Sequence, residues 1–351
     1  MPPEAVGGGT LLLDAPQVAS LVELGDTIAA VEAVFRAHGE GQVPPPAILG
    51  YLVPAGGFHV KAAALSSPAP RFTVKVNSNF PENRPRFGLP TIQGTITLFD
   101  GATGFPLAIM DSIEITIQRT AAATAVAANW LAREDADTVT ICGCGTQAWA
   151  QLAAVMAVRP IRRVFLHDID PARAERLAGE VRSTGLEAVP VRDLRPALAE
   201  SDVCVTCTTS AVPFLRIGDL GPGTFVAAVG ADSEEKQELD ARLLASSTVV
   251  VDILEQCAAI GELHHALEAG LMTRDDVRAE LGQVVAGLRT GRASADEIVV
   301  FDSTGTALQD AVLAGLVYER ALERGVGTRF EFASYACVSS ATAPGTAADR
   351  R

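Results

Sequence analysis

Positive charge is in short supply: 28 lysines and arginines face 42 aspartates and glutamates, a formal net charge of −14 over 351 residues. A surface that acidic repels phosphate backbones and anionic headgroups, so nucleic-acid and membrane-surface roles are disfavoured. Long apolar runs are missing as well. The longest candidate, residues 113–132, is interrupted by Glu114 and Arg119, so no membrane-spanning helix is expected. The opening Met-Pro-Pro-Glu has no basic segment leading into an apolar one, which a secretory leader needs. Six cysteines in a chain of this length are too sparse for a disulfide scaffold. These absences predict a protein of the reducing cytoplasm. Its length gives apolar surface enough for two domains or one large α/β unit.

What is present changes texture along the chain. Residues 1–10 and the stretch beyond Phe332 are rich in small residues and are expected to fray. Between them, Val18, Leu21, Val22, Ile28, Val31, Val34 and Phe35 recur at helical spacings and predict two helices joined near Gly25. Residues 58–64, 72–77 and 91–99 read as short strands. Asp100-Gly101-Ala102-Thr103-Gly104 supplies a hairpin turn before a further strand at 106–111, and together these form an antiparallel signature. An Ala-rich helix follows over 113–131, and then strands alternate with helices. Strands are expected at 138–142, 164–167, 188–191, 203–206, 224–229 and 249–252, a rhythm that implies a parallel sheet covered on both faces. A Rossmann-type domain is therefore placed at residues 120–310. A helix over 306–324 resumes the opening pattern and is expected to pack back onto the first part.

Gly143-Cys144-Gly145-Thr146-Gln147-Ala148 matches the dinucleotide fingerprint Gly-x-Gly-x-x-Ala. An apolar strand precedes it, a helix follows, and Asp168 ends the next strand 23 residues after Gly145. An acidic side chain there accepts from the adenosine ribose and repels a 2′-phosphate, which predicts NAD over NADP. The helix beginning near Thr146 offers free N–H groups to the pyrophosphate. Cys142-x-Cys144 and Cys204-x-x-Cys207 lie in or beside apolar strands and read as buried thiols, not zinc ligands. His264 and His265 are adjacent, so they are expected on different helix faces with no third ligand near. No metal is expected.

Lys75-Val76-Asn77, Gly88 to Gly94, Leu98-Phe99-Asp100, Arg119-Thr120, the fingerprint, Val229-Gly230-Ala231-Asp232 and Asp302-Ser303-Thr304-Gly305, in this order and spacing, resemble the ornithine cyclodeaminase/mu-crystallin family over nearly the whole chain. The resemblance implies an α/β homodimer in which the NAD-binding Rossmann domain, 120–310, is joined to a discontinuous α+β domain, 1–119 and 311–335, for substrate binding and dimerisation. Residues 336–351 are left as a disordered tail. The implied activity is hydride transfer at Cα of an α-amino or cyclic imino acid, with deaminating cyclisation of a diamino acid as one version. A net ketimine reductase or alanine dehydrogenase is another, and a non-catalytic carrier of the mu-crystallin kind a third.

By the same resemblance Lys75 pairs with the substrate carboxylate, and Arg119 and Thr120, expected at a helix start, meet the cofactor phosphates. Asp232 is the catalytic aspartate, its pKa expected to be raised towards neutrality in a partly dry pocket. Lys236 shares its loop, and Thr91, Gln93, Ser303, Thr304 and Gly305 form the polar wall around the nicotinamide. Family members carry an arginine after a Pro-Pro pair as a second carboxylate clamp, but this chain reads Val43-Pro44-Pro45-Pro46-Ala47. Lys61, on a neighbouring strand at a position usually apolar in the family, is expected to replace that charge.

Overall fold

A computed structural model describes residues 9–67 and 69–332. The expected tail at 336–351 lies outside the described residues. Two sheets divide the chain. The larger has eight parallel strands in the order Ala279–Glu280, Thr248–Val251, Val299–Asp302, Phe225–Ala228, Val203–Thr206, Thr138–Cys142, Arg163–His167 and Glu187–Pro190. Its middle strands Val203–Thr206, Phe225–Ala228 and Val299–Asp302 are buried at every position, as strands with helices on both faces must be. The strand order reverses between Thr138–Cys142 and Val203–Thr206, and the fingerprint loop sits at this switch point, where such sheets bind ligands.

The second sheet has seven strands in the order Thr328–Phe330, Thr10–Leu13, Pro106–Asp111, Ile92–Asp100, Arg71–Asn79, Gly56–Leu65 and Ala47–Val53. It is antiparallel except where Thr10–Leu13 runs parallel to Pro106–Asp111. Thr10 is therefore not frayed: it is buried, and its hydroxyl donates to the Pro106 carbonyl at 2.7 Å.

Helix Ile113–Leu131 joins the halves, and a division at 119/120 falls inside it. Residues 121–128 are all buried, because the helix packs on Ala148–Val158 on one side and on Leu24–Gly39 and Ala307–Arg324 on the other. Six of those eight are alanines, whose small side chains permit contact all round. Helix Ala307–Arg324 starts behind Thr306, whose hydroxyl accepts from Leu308 N, and a division at 310/311 likewise falls inside it. It lays Leu313, Ala314 and Val317 against Ile96, Leu98 and Met110 of the second sheet. Its first turn thus lies where that sheet meets the carboxyl ends of the parallel strands.

Candidate active site

Gly143 has φ +96°, and a Cβ there would lie 2.9 Å from Thr208 Cγ2 and 3.0 Å from the Cys207 carbonyl, so only glycine fits the turn. Cys144 N and Asp170 N each donate at 2.8 Å to a different oxygen of Asp168, which fixes that carboxylate beside the loop. Gln147 caps helix Ala148–Val158 without a side-chain hydrogen bond, leaving first-turn amides beyond Gly145 and Thr146 for an anion. Ala148 is fully buried where helix and sheet approach closely. This cradle fits a dinucleotide. Burial pushes the Cys144 thiol up to about 12 and also raises Cys207 and Cys257, while Cys142 is raised by its hydrogen bond with Cys204 and by burial, so these thiols are inert.

Lys61 and Lys75 are directly opposed across neighbouring strands, which puts both on one face, and both are buried. Lys75 Nζ contacts both oxygens of Asp310, at 2.8 and 2.6 Å, and Arg119 Nε lies 3.2 Å from Asp310 Oδ1. Arg119 Nη1 also donates to Gln309 Oε1 at 3.0 Å. The seam therefore holds three cations near one carboxylate, which touches Lys75 and Arg119. Gln309 Nε2 is buried without a hydrogen-bond acceptor, and Arg119 Nε, though paired with Asp310, makes no aligned hydrogen bond, an arrangement an anionic ligand would complete. Only three lysines occur in the whole chain, and Lys61, Lys75 and Lys236 all stand at this site.

Burial drives Lys75 down to about 7, with Asp310 resisting and Arg119 and Lys61 adding to the fall. Burial also opposes the charge of Asp310, but Lys75, Arg119 and Lys61 outweigh it and hold the carboxyl below its usual range. Arg119 and Thr120 do not start their helix, which begins six residues earlier at Ile113. An anion at Arg119 would meet the guanidinium, not free helix N–H groups, and the Thr120 hydroxyl is spent on the Thr116 carbonyl.

Lys61 Nζ donates to the carbonyls of Thr304 (3.0 Å) and Gly305 (2.6 Å), which commits two of its three N–H groups to the 303–305 wall. Gly305 has φ +74°, and a Cβ there would strike the Arg119 guanidinium. The hydroxyls of Ser303 and Thr304 turn inward to Asp252, which also accepts from Gly305 N at 2.7 Å. Gln256 donates to Thr304 Oγ1 and to the Gly305 carbonyl. Thr91 and Gln93 are not joined to this wall by hydrogen bonds. Their carbonyls accept from Phe80 N and the Ser78 hydroxyl, so both are anchored within the second sheet.

Asp232 stands after strand Phe225–Ala228, its side chain half exposed, with Lys236 Nζ at 2.5 Å. Partial burial works against its charge, yet Lys236, Lys61 and His59 outweigh it, so its pKa is lowered, not raised as expected. Asp232, His59 and Gln256 line a cleft of about 1030 Å³, and Pro46 occupies its wall where the resemblance expects an arginine. Glu234, Glu235 and Glu255 make one side of that cleft acidic. The His264 and His265 rings come together, centroids 5.2 Å apart, and with exposed Glu268 they bring three possible ligand atoms within 4.8 Å. His265 Nε2, however, is engaged with the Lys236 carbonyl at 2.8 Å.

Asp310 and Gln309 are site residues that sequence reasoning missed, whereas the run Glu255-Gln256-Cys257 after Asp252 reads from sequence as able to reach the cofactor edge but without an assigned role. A signal existed for Asp252, which ends an apolar strand at the carboxyl edge of the sheet; Asp310 and Gln309 read as ordinary polar positions of an amphipathic helix.

A glycine-cradled anion loop on a parallel sheet, with a buried cation cluster held against the wall at that sheet's carboxyl edge, is the arrangement of a dinucleotide-binding enzyme. The sequence profile of the ornithine cyclodeaminase/mu-crystallin family matches residues 9–325, and the chain belongs to that family. Alanine dehydrogenase of Archaeoglobus fulgidus is 38% identical over 327 residues, covering 92% of this chain and 98% of that one. The structure of Thermococcus litoralis Δ1-pyrroline-2-carboxylate reductase with NADH and L-proline superposes with a TM-score of 0.86 at 36% identity, covering 92% of this chain and all of that one. A lysine cyclodeaminase structure gives a TM-score of 0.81 at 32% identity, over 93% and 96% of the two chains. Among the described residues no helix is long and apolar enough to cross a membrane.

Proposed function

We propose that this protein is an NAD-dependent oxidoreductase acting at Cα of a small α-amino acid or cyclic imino acid. The observation that carries the reading is the buried excess of positive charge at Lys61, Lys75 and Arg119, with an orphaned donor on Gln309 and an unaligned one on Arg119, at the carboxyl edge of a dinucleotide-binding sheet. Bound NAD supplies hydride acceptance from, or donation to, the substrate Cα. Gly143, Gly145, Thr146, Gln147, Ala148 and Asp168 hold its adenosine and pyrophosphate. Lys75 and Arg119 take the substrate carboxylate, since a desolvated anion needs charge-assisted donors. Lys61 acts from behind by holding the 303–305 wall, so the absent arginine is replaced by Arg119 together with Lys75. Asp232, ionised beside Lys236, takes the proton that the substrate nitrogen loses as C=N forms, and returns it in the reverse direction.

The acidic side of the cleft favours a second reading, in which a diamino acid places its distal ammonium near Glu234, Glu235 and Glu255 and is cyclised with loss of ammonia. L-alanine, Δ1-pyrroline-2-carboxylate, L-ornithine and L-lysine, each assayed with NAD+ or NADH for absorbance, ammonia and cyclic product, separate the two. Net change in NADH supports the oxidoreductase; ammonia with cyclic imino acid and no net NADH supports cyclodeamination. No reaction with any of them would leave the carrier reading standing.

A homodimer belongs to the same proposal. Ile48, Leu49, Tyr51 and Leu52 are exposed on the sheet edge formed by Ala47–Val53, an apolar edge of the kind that soluble proteins cover. The free cysteines among the described residues suit a cytoplasmic setting.

A further inference from the structure

We infer that Asp310 is the positioning residue of the carboxylate clamp, aiming Lys75 and Arg119 at the substrate and keeping the lysine cationic. The inference rests on the proposed role of Lys75 and adds to it. Asp310 is 1% exposed; the Lys75 ammonium contacts both of its oxygens, and the Arg119 guanidinium shares Oδ1. It stands in the first turn of helix Ala307–Arg324, fixed by the Thr306 cap, so its reach towards the sheet is set by a rigid element. Removing its charge would leave Lys61, Lys75 and Arg119 buried without that carboxylate, and of these the two lysines are able to shed a proton, Lys75 being the one Asp310 touches.

Apart from Lys61, Lys75 and Lys236, every Lys/Arg cation of the chain is an arginine, which stays protonated in any environment. The groups facing Lys75 are Asp310 from helix Ala307–Arg324, Arg119 from helix Ile113–Leu131 and Lys61 from the adjacent strand Gly56–Leu65. His59, two residues beyond Lys61, is the next titratable group on that strand. On the other neighbouring strand the residue opposite Lys75 is the apolar Ile96. Among the described residues Asp310 is thus the one negative charge in contact with Lys75, and it opposes the burial and the two like charges that lower the lysine.

With three lysines in the chain, the full protein labelled with [ε-13C]lysine gives three resonances to follow against pH, and Lys75→Arg identifies one by its loss. Wild-type Lys75 should titrate near 7. In Asp310→Asn the midpoint should fall by about 1–3 pH units, the usual effect of an opposite charge at contact distance. KM at pH 7 should rise while kcat at saturation changes less. Asp310→Glu restores the charge and should bring the midpoint back to within about half a unit of wild type, and it serves alone if the asparagine variant does not fold. An unmoved Lys75 midpoint in Asp310→Asn, or a midpoint in Asp310→Glu below wild type by about 1 unit or more, would overturn the proposal. Failure of the carboxylate reading looks different: Lys75→Met would then leave KM unchanged whatever Lys75 titrates at.

Discussion

Two groups of buried carboxyls flank the 303–305 wall and behave in opposite ways. On the Rossmann side, Asp302 accepts from Glu262 N and Leu263 N, Glu262 from Glu238 N and Leu239 N, and Glu238 from Thr206 Oγ1, Thr208 N and Gly230 N. Every donor in this ladder is neutral. Burial wins, Asp302 is pushed up to about 7, and Glu262 and Glu238 are raised as well. On the seam side Asp310 is as deeply buried, but its partners are cations and its carboxyl is lowered. The same side-chain type at the same depth has its pKa raised in one place and lowered eight residues further on. What decides is the charge of the donors, not the burial.

If that distinction is right, neutral isosteres should be costly on the seam and cleft side and cheap in the ladder. The largest effect is expected at Asp232→Asn: turnover should fall about 10²-fold or more, since the amide keeps the shape but accepts no proton, while NADH binding measured by fluorescence stays near wild type. Next, Lys75→Met should raise KM for the substrate by the worth of a charge-assisted bond, about 1.5–3 kcal/mol or 10- to 150-fold, in steady-state kinetics.

Asp302→Asn should change kcat/KM only a fewfold at pH 7, and its main signature lies in stability against pH. A folded-state pKa near 7, above an unfolded value near 3.8, means that the stability contributed by Asp302 is full below the unfolded value and is lost as pH rises through about 7. The asparagine variant should therefore show a flatter fall in Tm between pH 5 and pH 8, on the order of one proton's worth. Asp310 has the opposite sign. Its contribution is present above the unfolded carboxyl value and is lost only as pH falls through its lowered folded one, so it acts at the acid end. Equal slopes in wild type and Asp302→Asn would erase the comparison. The smallest effect is expected at Asp168→Ser, which should narrow the preference for NADH over NADPH in paired binding titrations with little change in Tm.

The halves also differ in how much of them could be read from sequence. The fingerprint, the βα rhythm and Asp168 are set by neighbours a few residues apart, and the strands Thr138–Cys142 and Val203–Thr206 stand where periodicity puts them. Strand Val299–Asp302 went unread because the apolar run Ile298-Val299-Val300-Phe301, between a charged loop and Asp302-Ser303-Thr304-Gly305, carries no period. Ala47–Val53 went unread because it has no alternation, six of its seven residues being exposed. The seam was the least legible part. Lys75 and Asp310 are 235 residues apart, and Lys61 and Gly305 are 244 apart, so their pairing exists only once both chain ends pack on one sheet. The pKa of Asp232 was misread for a related reason: the burial was anticipated, but the Lys236 ammonium four residues on and Lys61 across the cleft reverse its effect.

The most direct test of the account is the fate of the substrate's α-hydrogen. With the best substrate of the panel deuterated at Cα and NAD+ bound, mass spectrometry should find the deuterium in the reduced cofactor if the cofactor is consumed, or back at Cα of the cyclic product if ammonia is released without net reduction. Deuterium lost to water would contradict hydride transfer at Cα and with it the assignment of the site.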